Sequence, residues 1–251
     1  MTGVLRSEWT KFRSAPGAVW LLVAVVAVTV AGGAATAATL RCPSTGCTGD
    51  PAEISLTGIQ LSQAVVAIVA ALMVGGEYRT NMIHTTLAAT PQRIRMLIAK
   101  TAVVAGVVAL AGAVAVPAGV LVGRPMLADR GLTLALSDAA VQRAAFGSVL
   151  YLVLIALLTV GVAVIARDAA AAIGVVLSLL YVFAILAQMV PDAELRENLR
   201  EIAPMTAGLA IQATVDLASL PVSPWRGLAV LAAWAFGSLV VGGVLLKARD
   251  A

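Results

Sequence analysis

Charged residues are scarce in this chain of 251 residues. Asp, Glu, Lys and Arg together make up 12% of the sequence, whereas hydrophobic residues make up 61%. The mean hydropathy is +0.98. A soluble globule needs more polar surface than this composition supplies, because its outer layer must be hydrated. The composition therefore argues against a soluble domain and predicts a protein whose apolar surface faces lipid.

The sequence also lacks two kinds of motif that catalytic or metal-binding proteins use. It contains no Gly-rich phosphate loop ending in Gly-Lys-Ser or Gly-Lys-Thr, so the chain is not expected to hydrolyse ATP itself. His84 is the single histidine, and no second His or Cys follows it at ligand spacing. The sequence thus predicts a non-catalytic protein with no metal site and no cofactor.

Six runs of twenty or more residues contain no charged residue. About 20 apolar residues in a helix cross the ~30 Å hydrocarbon core of a bilayer, and only a helix satisfies its own backbone hydrogen bonds there. The sequence therefore predicts an all-α polytopic membrane protein, with residues 1–251 as one membrane domain. Its six transmembrane helices are expected near residues 17–40, 55–75, 101–123, 144–166, 169–190 and 226–246.

The distribution of basic residues indicates how these spans are oriented. With the N-terminus in the cytoplasm, the inner segments hold ten of the seventeen Lys and Arg residues, a modest bias in the direction of the positive-inside rule. Both termini are then cytoplasmic. The first apolar run is longer than the 7–15 residues typical of a secretory signal, which favours a retained first span over a cleaved leader.

Both cysteines, Cys42 and Cys47, lie in the loop after the first span. On this topology the loop faces an oxidising compartment, where disulfides persist. Two interpretations stay open: a short disulfide that holds the loop, or two free thiols. Closing so short a loop adds little stability, so the spacing does not decide between them.

The first residues of the chain form a candidate interfacial helix. Leu5, Trp9 and Phe12 fall on one helical face, while Arg6 lies opposite and Lys11 adds a further positive charge. Such a helix can rest at the headgroup boundary, with Trp9 as its anchor and the cations near anionic lipid. The alternative is a frayed tail that only follows the positive-inside tendency.

The loop between the second and third spans, residues 76–100, is the most informative segment. Its apolar residues repeat at helical spacing and predict a short helix over about residues 77–88. Thr90 then suits an N-cap and Pro91 a first helical residue, so a second helix begins there. A short helix with Glu77 below the bilayer could receive motion from a soluble partner. The alternative is that the charges merely solvate a turn.

Short motifs at the N-terminus and in this loop resemble a known family. The chain begins with a Glu-Trp-x-Lys motif at residues 8–11, and the loop has the pattern Gly-Glu, Ile, Thr-Leu, Pro-x-Arg and Lys over residues 76–100. At this spacing they resemble the permease subunits of ABC-2 type transporters, similar to the bacterial bacitracin and sodium-efflux permeases. The likeness extends to the six-span layout of nearly the whole chain, although Asn81 occupies a position where Gly is common.

The resemblance implies a dimeric export machine in the bacterial plasma (inner) membrane. Its partners would be an ATP-binding cassette ATPase subunit and a second permease copy, identical or paralogous, with no nucleic acid. The uncharged spans suit an amphiphilic or hydrophobic substrate. The residues implied to couple the permease to the ATPase are Gly76, Glu77, Tyr78, Arg79, Ile83, Thr86, Leu87 and Arg93.

The segment before the last span, residues 192–225, divides into two parts. Charged residues from Glu194 to Glu201 at i,i+3 and i,i+4 spacing predict a short exposed helix. The charge-free piece at residues 202–215 is too short to span a bilayer and contains Pro204. The resemblance implies a re-entrant segment that closes the outer mouth, and an interfacial helix is the alternative. The loop at residues 124–143 receives no role.

Two other functions stay open from the sequence. One is a structural or assembly membrane protein without transport. The other is a secondary transporter, which is disfavoured because the predicted spans contain no ionisable residue at mid-membrane depth. Weakly polar residues in the spans, such as Gln60, Gln63 and Thr159, are expected first as helix–helix hydrogen-bonding groups.

Overall fold

A computed structural model describes residues 7, 9–10, 16–40, 49–79 and 93–248, with the backbone alone at residues 16, 18, 76–79 and 93. In these parts of the chain the regular structure is helical throughout, without strands. Six helices are long and apolar enough to cross a membrane. The chain thus has the fold of an all-α multi-pass membrane protein, as the sequence predicts.

The helices are numbered here in chain order. The first three spans are α1 (Pro16–Thr39), the pair α2 (Pro51–Leu56) and α3 (Ile59–Arg79), and α4 (Arg93–Ala128). The fourth is α5 (Ala139–Ala166), and the fifth consists of α6 (Ala169–Leu177), one π-helical turn (Ser178–Val182) and α7 (Phe183–Met189). The short helices α8 (Ala193–Ile202) and α9 (Pro204–Leu209) precede the last span, α10 (Pro224–Ala248).

Contacts between the helices define two ends of the bundle. End A comprises the end of α3, the starts of α4 and α6, and the end of α10. There Gly75 lies against Ala169, and Gly243 lies beside Ile94. End B comprises the end of α1, the whole of α2, the end of α4, the start of α5 and residues 203–215. Successive spans therefore run in alternate directions between the two ends.

The central helix of the bundle is α5, which packs against α3, α4, α6 and α10. Its interior face is fully buried at residues such as Tyr151 and Ile155. The outer helices instead expose large apolar side chains, among them Trp20 at 73% and Met189 at 72%. So much exposed apolar surface on long helices is unfavourable in water, whereas it is favourable in contact with lipid.

Small residues let the helices approach closely. A Cβ atom at Gly32 of α1 would lie 2.6 Å from the Cα of Gly58, in the turn between α2 and α3. A Cβ at Gly58 would overlap the carbonyl group of Thr29, and one at Gly161 of α5 would overlap Ser238 of α10. Close packing of this kind is typical of membrane helices, because no hydrophobic force drives them together in lipid.

Several helices continue beyond the predicted spans. The helix α4 begins at Arg93 and ends at Ala128, and α5 begins at Ala139. The connection between them is therefore only residues 129–138, and half of the segment at residues 124–143 is helical. A helix can extend past the hydrocarbon core because it satisfies its own backbone hydrogen bonds. Charge-free runs therefore indicate where the membrane lies, but not where the helices end.

Candidate functional site

The predicted coupling loop leaves and re-enters the bundle at end A. Residues 76–79 form the last turn of α3, and Arg93 begins α4; for these positions the structure describes the backbone. Both ends of the loop thus lie together beside the starts of α4 and α6. The coupling helix itself stays a prediction, since its other residues, Ile83, Thr86 and Leu87, lie outside the described part of the chain.

Lys100 joins the two helices that flank this loop. The sequence places it at the end of the loop, but it lies inside α4, two turns after the helix begins, and is 4% exposed. Its amino group donates to the carbonyl oxygen of Met73 on α3 at 3.4 Å. A buried ammonium group is costly unless its N–H groups find hydrogen-bond acceptors. This hydrogen bond therefore connects the two helices that flank the loop.

The burial of Lys100 can be inferred from the spacing of apolar residues in the sequence. The predicted span starts only at residue 101 and therefore leaves Lys100 outside. Met96, Lys100 and Val104 follow each other at four-residue spacing, and all three are buried. Continuing the helical pattern backwards from the third apolar run would have placed Lys100 on the buried stripe of α4.

Trp9 is the described member of the predicted interfacial helix. Ser7, Trp9 and Thr10 are helical, and the Trp9 side chain is 44% exposed. It lines an apolar groove of about 670 Å³ together with residues of α4 and α5, including Leu110 and Phe146. The Trp9 side chain therefore lies beside α4 and α5. The other predicted residues of this helix, Leu5, Lys11 and Phe12, lie outside the described part of the chain, as do Cys42 and Cys47.

Asp50 forms the main polar junction of end B. Its carboxylate caps α2 by accepting hydrogen bonds from the backbone N–H groups of Ala52 at 2.9 Å and Glu53 at 3.3 Å. The same carboxylate accepts hydrogen bonds from the hydroxyl of Thr214 at 2.7 Å and from the N–H of Val215 at 2.9 Å. The backbone N–H of Thr214 also donates to it. One side chain thus joins the start of the second span to the segment that precedes the last.

The protonation of Asp50 reflects these contacts. Partial burial would by itself raise the pKa of the carboxyl group, but the hydrogen bonds from Thr214, Val215 and Glu53 outweigh it and hold the pKa of Asp50 below its usual range. The carboxylate is therefore charged at neutral pH, and its hydrogen bonds are of the stronger, charge-assisted kind.

Residues 203–215, the end-B segment, lie between α5 and α10. Arg143 of α5 donates to the carbonyl oxygen of Ala213 at 2.6 Å. The side-chain amide of Gln212, which is 1% exposed, donates to the hydroxyl of Ser148 at 3.3 Å. The charge-free piece of the sequence is therefore enclosed by protein on two sides.

The start of the same region is fastened to α10. The indole N–H of Trp234 donates to the carbonyl oxygen of Ile202 at 3.0 Å. Gly208 packs against the ring of Tyr151, where a Cβ atom would lie 2.6 Å from the ring. Sequence reasoning did not find these partners, because they belong to helices that the charge-free runs describe only as apolar.

A polar network lies inside the bundle between α3, α5 and the π-helical turn. The Tyr151 hydroxyl donates to the side-chain oxygen of Gln63, and the Tyr181 hydroxyl donates to the backbone carbonyl of Gln60. The expected role of Gln63 in helix–helix hydrogen bonding is confirmed, whereas Thr159 bonds within its own helix, to the carbonyl of Ile155 at 2.8 Å. Buried polar groups that are bonded in this way fix the relative position of helices.

Polar side chains among the described residues form hydrogen bonds between separate segments of the chain. Across residues 49–79 and 93–248, and the shorter described stretches before them, no three His, Cys, Asp or Glu side chains are grouped so as to hold a metal ion. The polar groups of both ends instead bond backbone atoms of other helices. The arrangement therefore holds helices together.

In comparisons with known proteins, no family model and no curated protein matches the chain. The likeness to ABC-2 permeases consequently depends on the motifs and the six-span layout alone. A functional assignment built on it is a proposal.

Proposed function

We propose that this chain is the membrane-spanning permease subunit of an ATP-binding cassette transporter of the ABC-2 type, which exports an amphiphilic or hydrophobic substrate from a bacterial cell. ATP is hydrolysed on a separate subunit, and a second permease copy completes the pathway. The observation that carries the proposal is that the motif-bearing loop and the end-B segment lie at opposite ends of the bundle.

At end A, the contacts support a role in receiving force. The loop at residues 80–92 connects α3 to α4, and the hydrogen bond between Lys100 and Met73 joins these helices close to it. In turn, α3 packs on α5 and α6, while α4 packs on α1 and α5. A push on the loop by an ATPase subunit is thus transmitted through these two helices to three further spans, α1, α5 and α6.

At end B, the burial of residues 203–215 supports a gate. Gly208 lies beside Tyr151, seven residues after the start of the charge-free run at residue 144, which corresponds to about 10 Å along α5. Irregular backbone at membrane depth is tolerated only where protein or a cavity surrounds it. Ala207 and Ile211 are fully buried, as that condition requires. The segment is then re-entrant and closes the pathway.

The orientation proposed for the bundle places end A in the cytoplasm, as the bias of basic residues indicates. A periplasm-active reporter fused after residue 95 should therefore be inactive, while the same reporter fused after residue 220 should be active. The reverse pattern would exclude a cytoplasmic ATPase at end A.

Co-purification tests the proposal. The tagged full-length chain is purified from membranes of its bacterial host, and the eluate is assayed for ATP hydrolysis. Deletion of residues 77–88 should remove the ATP hydrolysis, and Glu77→Ala should lower it, while the chain still inserts into the membrane. Glu197→Ala, in the exposed short helix α8, is the control and should leave the activity unchanged. ATP hydrolysis that persists after the deletion would contradict the coupling role.

A further inference from the structure

A second apolar groove runs along the outside of the bundle at end A. It lies between the start of α4, the side of α5 and the end of α10, and its volume is about 550 Å³. This volume is in the range of sites that hold small organic ligands. The lining includes Ile94, Ile98 and Ala105 on α4, and Phe236, Val240 and Lys247 on α10.

The length of the groove matches one leaflet of a bilayer. Lys247 and Phe236 both line it and are eleven residues apart on α10, which is about 16 Å of helix. Half of the ~30 Å hydrocarbon core is about 15 Å. The 25 residues of α10 measure about 37 Å, so Lys247, next to the last residue, lies at headgroup level.

The mouth of the groove is positively charged. Lys247 is exposed and is the charged member of its described lining. Arg95 is exposed in the first turn of α4 and precedes the lining residues Ile98 and Ala102 by one and two turns on the same face. An apolar channel with cations at the membrane surface is complementary to a lipid that has a negative headgroup.

We propose that this groove is a binding site for one anionic diacyl phospholipid. An acyl chain lies between α4 and α10, and the phosphate lies near Lys247 and Arg95. The lipid fills the space between two helices that contact each other little directly. The site requires a membrane-embedded bundle and does not depend on the proposed transport function.

Competition between two phospholipids tests the site. The purified full-length chain is exchanged into detergent with equal amounts of phosphatidylglycerol and phosphatidylcholine that have the same acyl chains, and the retained lipid is measured by native mass spectrometry. The wild type should retain phosphatidylglycerol preferentially. Lys247→Gln should lower the ratio of the two lipids about five-fold, the effect of one surface lysine on anionic lipid. Lys247→Arg should preserve it.

Variants of the groove test the position of the acyl chain. A Cβ atom at Gly243 would lie 3.7 Å from the side chains of Ile94 and Leu97, so Gly243→Leu fills the groove. Val240→Trp fills it from a lining residue that is 65% exposed. Both should reduce the retention of both lipids several-fold. Gly237→Leu is the matched control on α10, where a Cβ meets no atom within 4 Å, and it should behave as the wild type.

Two results would overturn the proposal. One is a lipid ratio that Lys247→Gln leaves unchanged. The other is equal lipid retention by Val240→Trp and Gly237→Leu. If Val240→Trp at the same time alters the oligomeric state, the groove is an interface between copies of the chain. Because Lys247 and Val240 are both exposed, these two variants keep the test decisive even if Gly243→Leu does not fold.

Discussion

End A and end B differ in how their segments are held together. At end B, charged side chains bond to backbone groups far away in the sequence: Asp50 accepts from Thr214 and Val215, and Arg130 donates to the carbonyls of Ala38 and Leu40. At end A, packing such as that of Gly75 on Ala169 adjoins the hydrogen bond of Lys100 to Met73.

The difference has a mechanical consequence. Directional, charge-assisted hydrogen bonds resist separation until they break, and each contributes about 1.5–3 kcal/mol. Apolar helix contacts can slide by small amounts without losing a specific partner. Among the described residues, end B is therefore expected to open as a unit, whereas the apolar contacts of end A can shift by small amounts around the bond between Lys100 and Met73. In the proposed transporter these are the properties of a gate and of a part that receives force.

The largest effect is expected at a close helix crossing in the end-B half of the bundle. Gly58→Ala introduces a Cβ that overlaps the carbonyl group of Thr29, and neither backbone can move without shifting a span. A loss of about 3 kcal/mol in the free energy of unfolding is expected. Gly106→Ala is the control, because no atom lies within 4 Å of its Cβ. Thermal unfolding in detergent measures both, and equal melting temperatures would show that the crossing is not tight.

A smaller but substantial loss is expected from Asp50→Ala. The substitution removes the cap of α2 and the acceptor for Thr214 and Val215 together. A loss of about 2 kcal/mol is expected. Hydrogen exchange should show it as increased exchange of the amides at residues 213–215, with little change near Gly75. Loosening at both ends alike would mean that the two ends are not independent.

The pH dependence of end B follows from the same carboxylate. Because the pKa of Asp50 is lowered in the folded chain, its stabilising contribution is fully present above the unfolded value of about 3.9 and is lost as the pH falls through the lowered folded value. The melting temperature of the wild type should therefore fall below about pH 4 more steeply than that of Asp50→Asn. Parallel curves for the two proteins would contradict this assignment.

The smallest effect on stability is expected at end A from Lys100→Met. The substitution replaces a buried ammonium group by an apolar side chain of similar length, and the carbonyl of Met73 that loses this donor lies inside α3, where it can accept from the helix backbone. The melting temperature should change little, and ATP-driven transport should fall if Lys100 passes movement between α3 and α4. A large loss of stability would show instead that end A depends on a polar contact as end B does.

Part of the candidate site can be predicted from the sequence because it depends on local patterns. The loop at residues 76–100 is recognisable because its motif residues follow one another at set spacing, and its position between two spans follows from the apolar runs. Lys100 shows the limit of this reasoning. A lysine at the edge of a charge-free run was interpreted as a loop residue, although the helical stripe of buried residues continues through it.

The junction at end B could not be predicted in the same way. Asp50 and Thr214 are 164 residues apart, and neither belongs to a motif. Because Asp50 precedes Pro51, the sequence is compatible with Asp50 as an N-cap. Its other donors, Thr214 and Val215, reach it only because α5 and α10 enclose the end-B segment. The short length of residues 202–215 left a re-entrant segment and a surface helix equally open, because length alone does not show what a segment packs against.

By itself, the sequence determined that the chain is an all-α membrane protein of six spans, since hydrocarbon admits only helices for apolar runs of this length. The tertiary structure decided which helices meet, where a buried lysine finds a carbonyl group, and how one carboxylate joins two distant segments. These contacts depend on the crossing points of helices, which small residues such as Gly58 and Gly208 permit. Helix crossings are set by the simultaneous packing of all the spans, and no local pattern encodes them.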